Sequence, residues 1–271
     1  MNRLYFRGHQ PHRGETLVAG LMWRWPAFSR GGSRRLARGW KALKGWRRRC
    51  PARTRTPHCL AIWTGIAWEL IRGGFWLHAV YLLFLVVAYM RPSEPLTVRR
   101  GDLVAPTAGV SRAWHVQLYP EERPARSKTY AANDSVELTA KWAPWLGTVC
   151  EALSQGPQDE LIFGFDYGEF LEQFRAITAR LGLEKATPYQ ARHSGPSIDL
   201  ARGERTLPEV KARGRWLHDK SVTRYERRAR LAVSLQRMSA SKRAFCEETE
   251  RRFEALVLGR AHVSDIVWPL T

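Results

Sequence analysis

The chain has 271 residues, room for one large domain or two small ones, and 44 Lys and Arg against 25 Asp and Glu give it a formal charge of +19. Hydrophobic residues make up 44% of it, enough apolar surface to offset chain entropy, so a fully disordered chain is excluded. The four cysteines (Cys50, Cys59, Cys150, Cys246) are scattered and form no Cys-x-x-Cys pair. That excludes a small disulfide scaffold, a zinc ribbon and a thioredoxin-type site, and it reads as reduced thiols in an intracellular protein.

The charge is uneven. Residues 1–58 hold fifteen Lys and Arg and one acid, a net +14. Residues 59–199 hold thirteen basic and fifteen acidic residues (−2), and residues 200–252 hold fifteen and seven (+8). The middle has the balance of an ordinary globular domain, and the basic flanks point to nucleic acid or an anionic membrane surface. The first flank carries Gly and Arg without a sustained apolar face, interrupted by Pro11, Pro26, Pro51 and Pro57. It reads as a basic, largely disordered arm over 1–58, or the remnant of a truncated domain. An Arg-rich targeting peptide is the other reading of that composition. His9 and His12 have no second pair to complete a metal site and read as solvated.

The segment from Leu60 to Met90 is the most hydrophobic. AIWTGIAWELIR reads as an amphipathic helix, with Ile62, Ile66 and Ile71 at helical spacing against Glu69 and Arg72, and Gly73-Gly74 separates it from FWLHAVYLLFLVVAYM, residues 75–90. Sixteen residues of helix reach about 24 Å, short of a bilayer's roughly 30 Å hydrocarbon core. The pair reads as two core helices, and a membrane-associated chain anchored by 75–90 is the competing reading.

Pro92 disfavours helix at Arg91 and ends the apolar helix there. Short strands follow at 103–105, at 113–119, where Trp114, Val116 and Leu118 alternate with His115 and Gln117, and at 135–139. Helices are predicted over 141–155, 167–182, 189–203, 207–213 and 219–231. A last amphipathic helix carries Phe245, Thr249, Phe253 and Leu256 on one side, within a C-terminal segment 233–271. An amphipathic stripe does not name its cover, so this helix either folds back on its own domain or docks on a neighbouring copy. The fold class is α+β, mostly helical, with one small antiparallel sheet.

Several polar residues in the core segment need a reason. Arg91 and Glu94 flank Pro92-Ser93, and Leu96 and Asp102 follow. Lys128 sits in RSKT before the third strand. Arg192 and His193 open a helix in PYQARHSGPSIDLA, and Gly214-Arg215-Trp216 precedes Tyr225 by nine residues counted from the Trp. Singly these are surface ion pairs, a solvated hairpin lysine and packed aromatics. In this order and spacing, over about residues 60–232, they resemble the catalytic domain of the tyrosine recombinases, the phage integrase family. Arg-x-x-Glu is the weakest part of the match, and the run from Tyr189 to Tyr225 the strongest.

The resemblance implies a fold and a chemistry. It implies a tyrosine-recombinase-like catalytic domain over 59–232 that cuts and rejoins double-stranded DNA through a 3′-phosphotyrosyl bond, with no cofactor and no metal. Tyr225 would be the nucleophile; a free phenol has a pKa near 10 and needs activation. Arg91 and Arg192 would hold the non-bridging oxygens, Lys128 would protonate the leaving 5′ oxygen, and Glu94 would position Arg91. Trp216 stands where the family has His or Trp, and its indole N–H suits a phosphate oxygen. His193 completes the Arg-His pair. Tyr189 occupies the position where the family usually has a His acting on the nucleophile's proton, and a phenol is a poor base near neutral pH. The family also carries a helical core-binding domain ahead of the catalytic one, for which residues 1–58 are short. The resemblance further implies a homo-oligomer on DNA and a nuclear or otherwise intracellular, DNA-associated location. A catalytically impaired DNA-binding relic of the same fold, or a type IB topoisomerase, would share these residues.

Overall fold

The basic first flank, whose pattern predicts little regular structure, holds three helices in the computed structural model: α1 (Asn2–Phe6), α2 (Pro11–Arg24) and α3 (Ala37–Arg49). The expectation of a largely disordered arm missed a local packing match. Gly14 on α2 faces Trp46 on α3 so closely that a Cβ would lie 2.8 Å from the indole ring. Tyr5 meets the same indole edge to face at 5.8 Å, and Glu15 pairs with Arg47 at 2.8 Å. The structure describes residues 1–51, 56–123, 134–226 and 229–267. It forms two units, Met1–Arg55 and Thr56–Thr271.

In the second unit the apolar stretch becomes α4 (Leu60–Arg72) and α5 (Trp76–Val87). Every residue of α4 from Leu60 to Leu70 is buried, because α5, a later helix α7 (Tyr167–Arg180) and the C-terminal helix all pack against it. Even Glu69, expected on a polar face, is buried there and pairs with Arg72 at 2.7 Å. Leu82, Leu83, Leu85 and Val86 of α5 are likewise buried, whereas Phe75 ahead of it is only half-buried. Among the described residues no helix is long and apolar enough to cross a membrane.

The sheet has the order β1 (Leu103–Val104), β2 (His115–Leu118) and β3 (Asp134–Glu137), antiparallel throughout. Its register sets Leu103 opposite Val116 and Val116 opposite Val136, so one buried apolar row runs across all three strands. The helix predicted from 141 starts later, as α6 (Leu146–Ser154), since Pro144 biases Ala143 away from helix. α7 follows with an Asp166–Glu169 capping box, then α8 (Tyr189–Arg202) and α9 (Leu207–Arg213), whose box is Thr206–Glu209.

The single helix predicted over 219–231 is instead two 3₁₀ turns, Asp219–Ser221 and Thr223–Glu226, followed by α10 (Ala229–Gln236). Ser221, Val222 and Thr223 are poor helix formers, and burial of Val222 and Tyr225 holds the turns in place. The last helix is α11 (Ala240–Val257), capped by the Ser239 hydroxyl. Its Phe245, Cys246, Thr249 and Phe253 are buried, and it packs on α4, so it folds back on its own unit. Val263 beyond it accepts hydrogen bonds from Trp68 Nε1 (3.1 Å) and Arg72 Nη2 (3.0 Å).

Candidate active site

The chain leaving α5 turns sharply at Tyr89, a left-handed residue with φ of 50°, and delivers Arg91 to Glu94. The backbone N–H of Arg91 donates to Glu94 Oε2 and its Nη1 to Oε1, each at 2.6 Å. The Arg-Pro-Ser-Glu segment therefore closes on itself, and the carboxylate ends up fully buried. Two arginines from distant parts of the chain meet the same carboxylate. Arg215 Nη2 donates to Oε2 at 2.6 Å, and Arg192 Nη1 lies 3.7 Å from that oxygen. Three guanidiniums thus surround one acid, a cluster with excess positive charge in a region shielded from water.

Arg192 comes from the first turn of α8 and is also buried. Its Nη1 donates to the Tyr89 carbonyl and its Nη2 to the Gly214 carbonyl at 2.9 Å. Burial lowers its pKa to about 10, with Glu94 pulling the other way, so it stays charged at neutral pH. Two glycines make this approach feasible. A Cβ on Gly195 would sit 2.0 Å from the Val86 carbonyl oxygen and 2.6 Å from the Tyr89 ring, which would force α8 away from α5. A Cβ on Gly214 would fall 1.8 Å from the Trp216 ring. The Trp216 indole lies under the Arg192 guanidinium (5.3 Å) and beside the Tyr225 ring (5.2 Å).

The residue after Arg192 reaches the same tyrosine. His193 Nδ1 lies 2.5 Å from the Tyr225 hydroxyl. The Tyr189 ring stands edge-on to His193 at 5.0 Å. Tyr225 itself is only 4% exposed, and burial pushes its pKa up to about 12 against the opposing pull of Arg224 and Arg192. A network behind the site fixes Tyr89: its hydroxyl donates to buried Asp199, which also accepts from Arg205 and from Trp142 Nε1 at 3.1 Å.

Seven of the eight residues singled out in the sequence therefore meet in one place. Arg91, Glu94 and Arg192 form the charged half; Trp216, His193, Tyr189 and Tyr225 form the aromatic half; Arg192 belongs to both. Lys128 lies outside the described residues. Arg192 differs from expectation in one respect, because its two Nη groups are committed to carbonyl oxygens. Sequence reasoning did not single out Arg215, whose only signal was an arginine lodged between Gly214 and Trp216. It also passed over Tyr119, whose phenol lies in the fields of Glu94, Arg91 and Arg215 and is pushed up chiefly by burial. Among the described residues the non-glycine positions with positive φ are Tyr89, Tyr119 and Arg215, and all three belong to this site. Backbone strain of this kind costs about 1–3 kcal/mol per residue and collects at functional sites.

Among the described residues no group of three or more His, Cys, Asp and Glu side chains could hold a metal ion. Comparison with family models and with curated proteins finds no match to this chain.

Proposed function

We propose that the chain is a DNA strand transferase of the tyrosine-recombinase type. What carries the reading is convergence: Arg91, Glu94, Arg192, His193, Trp216 and Tyr225 span nearly half the sequence, yet their side chains form one continuous cluster. A structural ion pair would have required only two of them.

The Tyr225 oxygen attacks a backbone phosphorus, and His193 Nδ1 takes the phenolic proton as the O–P bond forms. The P–O5′ bond breaks, and the leaving oxygen takes a proton from Lys128, the role implied by the resemblance. The arginines stabilise the charge on the non-bridging oxygens in the pentacovalent transition state. Bond energy is kept in the phosphotyrosine, so a second 5′-hydroxyl reverses the reaction without an outside energy source. The base in this scheme is His193, one residue after the arginine, in place of the histidine expected at position 189. Because Tyr225 is buried, attack on a duplex requires the 219–226 turns to move. Those turns are two short 3₁₀ stretches with no regular helix between them, the kind of segment that opens locally.

The test is covalent capture. The full chain is incubated with a nicked suicide duplex, alongside Tyr225→Phe, and resolved on a denaturing gel. A protein–DNA band that survives denaturation and disappears in the variant supports the reading. Salt-sensitive DNA binding with no covalent band would make the chain a DNA-binding relic of the same fold. An absence of both would overturn the nucleic-acid reading altogether.

A further inference from the structure

We propose, building on the strand-transfer reading, that Arg215 is a phosphate-binding arginine beside Arg91, with Nε and Nη1 kept for the non-bridging oxygens of a backbone phosphate. Its Nη2 is used by Glu94, but Nε and Nη1 are buried and have no hydrogen-bond partner among the described residues. The nearest further acid, Asp134, has its Oδ2 3.9 Å from Nε, too long for a hydrogen bond. Buried donors are nearly always satisfied, and two on one guanidinium beside a cluster of like charges suit an anion that completes them.

The neighbouring arginine sharpens the point. Arg192 gives its Nη groups to the carbonyls of Tyr89 and Gly214, so it braces the site. Arg215 keeps a pair of N–H groups unassigned, and a guanidinium fork matches two oxygens of one phosphate. Charge points the same way. Arg91, Arg192 and Arg215 less Glu94 and Asp134 leave one positive charge, which one phosphodiester would neutralise. Arg215 also holds a left-handed backbone conformation, φ 56°, that glycine or asparagine would adopt at less cost. An arginine kept where the backbone disfavours it is kept for its side chain.

The experiment separates this proposal from the reading it rests on. The full chain, Arg215→Lys and Arg215→Gln are titrated with inorganic phosphate at constant ionic strength, with binding read as a rise in Tm. Lysine can still pair with Glu94 and so preserves folding, but it loses the fork. The expected result is a phosphate affinity weakened about tenfold or more in Arg215→Lys, with a phosphate-free Tm close to that of the parent chain. Equal phosphate affinity in the parent and Arg215→Lys overturns the proposal, as does a parent chain whose Tm does not respond to phosphate. Covalent capture on the suicide duplex runs in parallel. If the parent forms no adduct while phosphate binding still depends on Arg215, the anion site stands and strand transfer falls. If the parent forms adduct and Arg215→Lys forms it at the same rate with unchanged phosphate affinity, strand transfer stands and Arg215 is no part of it.

Discussion

His193 Nδ1 and the Tyr225 hydroxyl are 2.5 Å apart, although the two residues lie 32 positions from each other and on different elements. Burial holds the phenol's pKa near 12, so a phenolate is scarce at neutral pH and its proton must leave during attack. Replacing His193 by Ala is therefore expected to slow covalent adduct formation about 10²–10⁴-fold. Replacing Tyr189 by Phe keeps the ring packing on His193 and should cost far less. Single-turnover adduct rates for the two variants decide between them; a larger loss in Tyr189→Phe would assign the base role to position 189.

Glu94 sits among three guanidiniums at the charged half of the site, and it is fully buried. Glu94→Gln leaves those charges uncompensated in a shielded region, which typically costs about 3–5 kcal/mol. Urea denaturation should show a lower midpoint with an unchanged m-value. High phosphate should restore part of the loss, since an added anion takes over some of the carboxylate's work. A variant as stable as the parent would mean that the cluster is hydrated and weakly coupled.

The core could be read from pattern alone. The helical spacing of Ile62, Ile66 and Ile71 gave the central helix, although the pattern, with Glu69 and Arg72 opposite, read as amphipathic and the structure buries every residue from Leu60 to Leu70, Glu69 included. Alternation of Val116 and Leu118 gave the middle strand its buried face. The site's members were visible as an ordered set of residue types, but their meeting point was not. That point depends on Gly195 and Gly214, whose missing side chains no hydrophobic pattern marks. The three helices of the first unit have a similar origin: Gly14 against Trp46 and Leu43, with Tyr5 on the same indole, packs them without a sustained apolar face. Arg215 stayed hidden because its importance lies in donors left without partners, a property of geometry and not of composition.

Gly195→Ala tests the packing that brings Arg192 to the site. The new methyl would overlap the Val86 carbonyl, which belongs to helix backbone and cannot rotate away. Overpacking of this kind costs about 1–3 kcal/mol, and more where backbone must shift. The expected outcome is a lower Tm together with weaker phosphate binding. A variant with normal Tm and normal phosphate binding would show that α8 can move off α5 without disturbing the site.

Stability should peak near neutral pH and fall on both sides. Burial raises Tyr225 from 10 to about 12, and Cys150 and Cys246 from 9 to about 12. The unfolded chain loses these protons first, so their contribution is complete below about pH 9 and disappears as pH climbs toward 12. Tyr225 alone accounts for about 2–3 kcal/mol of that fall. On the acid side, burial lowers His58 from 6.5 to about 4, so its contribution is present above 6.5 and is lost as pH drops toward 4. Urea midpoints across the range check both limbs. Tyr225→Phe should flatten the alkaline limb by about 1.4 kcal/mol per pH unit, and an unchanged slope would place that phenol in water.

The C-terminal helix offers the sharpest test of where the domain ends. α11 covers α4 at a small-residue contact: a Cβ on Gly65 would lie 3.2 Å from Cys246 Sγ. Phe253, 2% exposed, packs its ring 5.5 Å from Trp145 ahead of α6, so the same helix also braces the far side of the core. Truncating Phe253 to Ala should therefore cost about 3–5 kcal/mol. Ending the chain at Ser239 exposes one whole side of the buried central helix and should unfold the second unit, read as loss of cooperative melting and binding of a hydrophobic dye. A helix serving only to join neighbouring copies gives another pattern: the truncated chain would melt as before and lose only cooperative binding to DNA. If the shortened chain keeps its Tm, α11 contributes little to the core despite its buried Phe245 and Phe253, and its packing on α4 is then an exchangeable contact, open to a second copy of the chain.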